Sequence, residues 1–186
     1  KYDHVPYLMK TLFWQPDLNN AKTKGFDEQG RFIHKDFLQA SKNHIKAANK
    51  HGVKFLVGTD TLDTSVVAGI SMHDEMASLV DAGLSNAEVL RAATIAAANF
   101  TGQQDKFGSV ETGKYADLIL LNKNPLENIR HTTKIDAVMF NGRLYDESTI
   151  EALHVFAKEQ ASSVKLNAHY LWSLVQSPLM RMQVAD

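Results

Sequence analysis

The sequence contains no cysteine among its 186 residues. A disulfide, a cysteine-ligated zinc site and a thiol nucleophile are therefore excluded, so any metal would rest on histidine and carboxylate ligands. No apolar run approaches the ~20 residues that a membrane-spanning helix requires. Lysine and arginine are scattered, and the formal net charge of −1 provides no basic surface for nucleic acid. We therefore expect neither a membrane nor a nucleic acid as partner.

The composition that remains is typical of a soluble globular protein, with 44% hydrophobic and 22% charged residues. The length suits one large domain or two small ones. No signal peptide is visible at Lys1. Because the chain does not begin with methionine, the true amino terminus is open and the sequence leaves the cellular location unknown.

The most informative stretch comprises residues 52–60. Residues 53–58 are mainly β-branched, aromatic and apolar and end at Gly58, which predicts a short buried strand. Thr59 and Asp60 follow at its carboxyl end, where an α/β barrel places catalytic residues. The alternative is that Asp60 only caps the next loop, because aspartate is common in turns.

Two helices are predicted around this strand. Residues 36–50 have helical apolar spacing and end before Gly52, so helix and strand form an αβ step. A second helix begins near residue 71, where Ser71 and Asp74 have capping-box spacing. His73 lies in its first turn, where it either lines an active-site mouth or is a solvated residue, and we favour the second reading.

The following residues change from helical to strand periodicity. Ser85 and Glu88 form a second capping box for a helix over residues 86–100. Residues 116–121, 135–140 and 143–145 predict strands, the last two joined by an Asn-Gly hairpin turn at 141–142. This β unit has too few strands to form a core by itself. Residues 148–176 predict one long helix, begun by Ser148 and Glu151, that docks on the body.

Four blocks, in this order and spacing, resemble the carboxyl-terminal part of the amidohydrolase superfamily, specifically its imidazolonepropionase-like and prolidase-like members. They are GVKFLVGTDT at 52–61, SMHDEMASLVDAGLSNAEVLRAAT at 71–94, GSVETGKYADLILLNKNPLENI at 108–129 and AVMFNGRLYD at 137–146. The order of the blocks is more specific than any one of them, and together they span about half the chain.

The resemblance implies an α/β fold class: the carboxyl-terminal part of a metal-dependent (β/α)8 TIM barrel, part of a small β-sandwich, and a long carboxyl-terminal helix. Residues 1–104 would belong to the barrel, 105–146 to the β-sandwich and 147–186 to a helical extension. Residues 53–58 would be the eighth barrel strand, and residues 1–35 the loop after the seventh. Asp60 would be the aspartate that ligates a divalent metal and acts as general base toward metal-bound water.

The departure from the family pattern concerns the metal ligands. Family members use a His-x-His pair after the first strand, and this sequence has none. We therefore expect a fragment of a longer enzyme, which contributes Asp60 as its one metal ligand. The resemblance implies a divalent metal, zinc, in the full-length parent and none in this chain alone, since a catalytic zinc needs about three protein ligands.

Two hypotheses follow. The first is a metal-dependent hydrolase of C–N bonds in cyclic amides or peptide-like small molecules, inactive as an isolated chain. The second is a non-catalytic structural or oligomerisation module, in which Asp60 is only a turn residue. In either case we expect a homo-oligomer, because an unpaired strand such as residues 53–58 invites pairing with another chain.

Overall fold

The structure is a computed structural model that describes residues 2–15, 28–61 and 65–176. Its elements are a short helix α1 (Tyr7–Met9), a π-helix (Lys10–Trp14), the helices α2 (Glu28–Lys50), α3 (Ile70–Asp81), α4 (Asn86–Ala93) and α5 (Ile95–Phe100), the strand β1 (Leu118–Leu121), a 3-10 helix (Ile129–Thr133), the strands β2 (Ile135–Phe140) and β3 (Arg143–Asp146), and the helices α6 (Glu147–Ser162) and α7 (Val164–Gln176). Within these ranges no helix has both the length and the apolar character needed to cross a membrane.

The three strands form one antiparallel sheet in the order β1-β2-β3. The hairpin between β2 and β3 is confirmed: Phe140 pairs with Arg143, and both turn residues have positive φ, 49° at Asn141 and 74° at Gly142. Asparagine and glycine tolerate this left-handed conformation, which is why the dipeptide determines the turn locally.

The core lies between the helices and the 3-10 helix that precedes β2. Its buried members come from α3, α4, the loop between them and the 3-10 helix: Met76, Ala77, Leu79, Leu84, Val89 and Ile129. Phe55, Val57 and Ile45 pack against this cluster from the extended segment and from α2. The core therefore holds the segment that ends at Asp60 against the helices.

The predicted strand at residues 53–58 is not paired in the structure. Among the described residues the sheet comprises β1, β2 and β3 alone. From Phe55 onward the segment alternates as a strand would, because Phe55 and Val57 are half-buried while Leu56 between them is 40% exposed. The prediction of a hydrogen-bonded strand at residues 53–58 was therefore wrong, because the described residues provide no neighbouring strand for it.

The helix starts show where local signals were sufficient. The Ser85–Glu88 capping box is confirmed, with Glu88 N donating to Ser85 Oγ at 3.2 Å and Ser85 N donating to Glu88 Oε2 at 2.7 Å. The Ser71–Asp74 box was wrong: α3 begins one residue earlier, after Gly69, and Ser71 Oγ accepts from Val67 N at 2.9 Å. The serine hydroxyl therefore closes the preceding turn instead of capping the helix.

Two of the predicted helices have different bounds in the structure. Helix α2 begins at Glu28 rather than Asp36, so part of the expected loop over residues 1–35 is helical, while residues 16–27 lie outside the described residues. The helix predicted over 86–100 is divided at Thr94, whose φ of −128° and ψ of −97° are not helical. The apolar periodicity of the sequence continues through Thr94, so the sequence pattern did not reveal the break.

The predicted long carboxyl-terminal helix is two helices. They are separated at Ser163, whose ψ of 125° is extended. The first turn of α6 is capped by Asp146, whose Oδ1 accepts from Thr149 N at 2.8 Å, rather than by Ser148. Asn167 Nδ2 donates to Ala161 O at 3.0 Å and to Ser163 O at 2.8 Å, which stabilises the break.

The amino-terminal residues 2–15 pack on these two helices. Leu8 N donates to Asn167 Oδ1 at 3.1 Å, and Asp3 and Lys158 form an ion pair at 3.3 Å. Tyr170 Oη lies 3.0 Å from Met9 Sδ. The two ends of the described chain therefore meet.

Candidate active site

Asp60 lies at the carboxyl end of the extended segment, with its side chain exposed. Its φ of 49° places it in the left-handed region, which aspartate tolerates better than most residues. On either side, Thr59 Oγ1 and Thr61 Oγ1 lie 2.7 Å apart and hydrogen-bond to each other. The two threonine hydroxyls therefore bridge the turn that contains Asp60.

His73 is half-buried, and its hydrogen bond is to Thr132 rather than to Asp60. Its Nδ1 lies 2.9 Å from Thr132 Oγ1, and the hydroxyl of the buried Thr132 donates to Ile129 O at 2.8 Å. Since the threonine has one hydroxyl hydrogen and uses it toward Ile129 O, its oxygen accepts from His73 Nδ1–H. Burial lowers the pKa of His73, against a smaller opposing effect of Asp74. The histidine thus connects α3 to the 3-10 helix.

The described residues do not form a complete metal site. No group of three or more histidine, aspartate or glutamate side chains is close enough to hold an ion within the described ranges. A catalytic zinc requires about three protein ligands. The described residues alone therefore do not fit a catalytic divalent metal.

A groove of about 700 Å³ runs beside the extended segment and does not include Asp60. Residues 52–56 form one wall, and α4 and α5 form the other through Arg91, Ala92, Ile95 and Phe100. Most of its lining is apolar, with Lys54, Glu88 and Arg91 as its charged members.

The sequence argument did not identify Thr132 as the partner of His73, nor a contact between His4 and His154. These two histidine rings have centroids 5.3 Å apart. Residues so distant in sequence come together only through tertiary packing, so the sequence contained no signal for either contact.

Comparison with known proteins assigns the family. Residues 33–145 match the amidohydrolase family model, and the chain belongs to this family. Among solved structures, a bottromycin amidohydrolase has a TM-score of 0.72 and 26% identity, covering 86% of this chain and 34% of that one. A Xaa-Pro dipeptidase with bound methionine in its active site has 31% identity and a TM-score of 0.52, covering 56% of this chain and 25% of that one.

A further amidohydrolase structure has 27% identity and a TM-score of 0.52, over 72% of this chain and 32% of that chain. The chain therefore spans about a quarter to a third of the length of these structures. No curated protein sequence matches it. The resemblance read from the four sequence blocks is confirmed, and the mixed α/β architecture agrees with part of a TIM-barrel fold.

Proposed function

We propose that this chain is the carboxyl-terminal portion of a metal-dependent amidohydrolase that hydrolyses C–N bonds of cyclic amides or peptide-like substrates. The observation that carries the proposal is the family match over residues 33–145, which contains the extended segment and Asp60. In this proposal residues 1–104 belong to the barrel, 105–146 to a β-sandwich and 147–186 to a helical extension.

Asp60 is assigned as metal ligand and general base. Its exposure and its place after a segment packed on the core support this role. The metal is a divalent ion, zinc, that the full-length protein would bind through further residues. The isolated chain is then inactive, because the described residues contribute no group of three ligands around an ion.

The names of two similar structures support a peptide-like substrate. One is a dipeptidase acting on Xaa-Pro dipeptides and another is the amidohydrolase of bottromycin. Both names refer to the cleavage of amide-type bonds in peptide-like molecules. A small-molecule or peptide-like substrate is therefore the first to test, with cyclic amides as the second class.

A second candidate function, a self-associating structural module, is favoured by the exposed apolar surface. The extended segment is unpaired, and strand β1 at the edge of the sheet has Ile119 and Leu120 each 59% exposed. Unpaired apolar edges promote pairing with a second chain. Homo-oligomer formation is proposed on this ground, and it is compatible with the catalytic proposal.

The experiment compares the polypeptide encoded by the complete reading frame with its Asp60→Asn variant. Both are assayed on Xaa-Pro dipeptides and on five- and six-membered cyclic amides. Loss of a general base is expected to reduce kcat by at least about 10²-fold. The control is Asp105→Asn, an exposed aspartate in the same family region, which should retain activity. An Asp60→Asn variant as active as the wild type would overturn the assignment.

A further inference from the structure

The amino-terminal segment (residues 2–15) is attached to the two carboxyl-terminal helices at both of its halves. Near its start, Asp3 forms an ion pair with Lys158 of α6 at 3.3 Å. Further along, Leu8 N donates to Asn167 Oδ1 of α7 at 3.1 Å. The amino-terminal segment, α6 and α7 therefore form one packed unit.

Asn167 joins the amino-terminal segment to the junction between α6 and α7. Its Oδ1 accepts from Leu8 N, while its Nδ2 donates to Ala161 O and Ser163 O on the other side of the junction. The Asn167 side chain is half-buried, and all three hydrogen bonds come from its single amide group. A substitution at Asn167 therefore loosens the junction and the amino-terminal segment together.

Two buried ring nitrogens oppose the packed position of the amino-terminal segment. His4 Nδ1 and Trp14 Nε1 have no hydrogen-bond partner in the part of the chain that the structure describes. A buried polar atom without a partner costs free energy, because it has lost its hydrogen bonds to water. The position of the segment is therefore maintained by its contacts with α6 and α7.

The place of this segment in the chain gives the packed unit a location in the proposed barrel. The amino-terminal segment precedes α2, and α2 leads into the extended segment that ends at Asp60. In a (β/α)8 barrel, the connections that enter helices lie at the carboxyl ends of the strands, on the face that carries the active site. Asp60, at the carboxyl end of residues 53–58, belongs to the same face.

We propose that the amino-terminal segment, held by α6 and α7, forms one wall of the substrate entrance, with Asn167 as its positioning residue. This role rests on the proposed function, because the barrel assignment locates the entrance. Asn167 touches no reacting atom and acts by fixing where the segment lies. The wall is apolar, since Tyr7 and Leu12 of the segment are 63% and 48% exposed. It therefore favours peptide-like substrates that carry an apolar side chain.

The test measures KM and kcat of Asn167→Ala in the polypeptide of the complete reading frame. The substrates are leucyl-proline and glycyl-proline, or a pair of cyclic amides with and without an apolar substituent. We expect KM for the apolar substrate to rise at least about fivefold, while kcat and the other KM change by less than about twofold. A variant that only loses folded protein would instead show a lower apparent kcat for both substrates and an unchanged KM.

A second variant disturbs the same contact without touching Asn167. Lys158→Glu places like charges opposite each other at an exposed position, and adding Asp3→Lys restores an ion pair of reversed polarity. The single variant should raise KM for the apolar substrate about twofold, and the double variant should return it to the wild-type value. The matched control is Lys165→Glu, the same charge change at an exposed position of α7, which should leave KM unchanged.

Tryptic cleavage after Lys10 measures the attachment of the segment independently of activity. In the same polypeptide, cleavage should be faster in Asn167→Ala and in Lys158→Glu than in the wild type. Wild-type cleavage rates in both variants would overturn the attachment, and faster cleavage with unchanged KM would overturn the entrance role alone. A wild type that hydrolyses neither substrate class would instead overturn the proposed function, and the entrance role with it.

Discussion

His73 and Thr132 connect α3 to the 3-10 helix that leads into the sheet. His73 Nδ1 donates to Thr132 Oγ1 over 2.9 Å, and the same hydroxyl donates to Ile129 O over 2.8 Å. Thr132 and Ile129 are 6% and 3% exposed, so the bond between them is buried, while the bond to the half-buried His73 is partly so. These two bonds connect the helical part to the sheet, and the first two predictions below concern them.

Thr132→Val removes both bonds at nearly constant volume. It leaves His73 Nδ1–H and Ile129 O with one partner fewer at a largely buried position, which should cost about 1–2 kcal/mol of unfolding free energy. Urea denaturation measures the loss. The control is Thr133→Val on the same 3-10 helix, where an exposed hydroxyl donates to Arg130 O and the change should stay within about 0.5 kcal/mol. Equal losses in the two variants would contradict this account.

His73 makes stability depend on pH. Burial lowers the pKa of His73 in the folded chain, so the unfolded chain takes up its proton first as the pH falls. The free energy of unfolding should therefore decrease as the pH drops below the ordinary histidine value of about 6.5. The His73→Gln variant should show a smaller decrease between about pH 7.5 and 5.5 than the wild type. Identical slopes would contradict the assignment to His73.

Gly108 permits a close approach that an added methyl group would prevent. Its φ is +91°, and a Cβ at this position would lie 2.8 Å from Ile95 Cα and 2.9 Å from Ala98 Cβ. Gly113 has a similar φ of +94° but open space around it. Gly113→Ala should cost about 1–2 kcal/mol through backbone strain, and Gly108→Ala about 1–3 kcal/mol more through overpacking. Thermal unfolding of both variants compares them, and equal destabilisation would contradict the predicted clash.

The isolated chain should self-associate. Residues 53–58 are extended and unpaired among the described residues, and two of them, Val53 and Leu56, expose apolar surface. Light scattering should give a mass above that of one 20.7 kDa chain that falls on dilution. A double substitution of Val53 and Leu56 by lysine should shift the chain toward monomer, whereas a wild-type mass equal to one chain at all concentrations would contradict self-association.

Local signals predicted part of this fold, and tertiary contacts determined the rest. The Asn141-Gly142 turn and the Ser85–Glu88 cap were correct because each depends on the conformational preferences of adjacent residues. The breaks at Thr94 and Ser163 were missed because apolar periodicity continues through them. Residues 53–58 have strand composition, but a strand also needs a neighbour, which sequence composition does not provide.

In the candidate site, too, local sequence signals predicted some features and tertiary contacts determined others. The position of Asp60 after an apolar segment packed on the core could be predicted from composition and from the glycine that precedes it. Its role could not, since a catalytic metal site needs about three protein ligands and the described residues contain no such group. The contacts of His73 with Thr132 and of His4 with His154 bring together residues with no common sequence pattern.

The most direct test of the central proposal follows Xaa-Pro dipeptide hydrolysis by the polypeptide of the complete reading frame through chelation and zinc restoration. We predict that the wild type loses activity with the chelator and regains it with Zn²⁺, while Asp60→Asn stays inactive under both conditions. Hydrolysis that survives metal removal, or an Asp60→Asn variant that recovers with Zn²⁺ as the wild type does, would contradict a metal-dependent mechanism that uses Asp60.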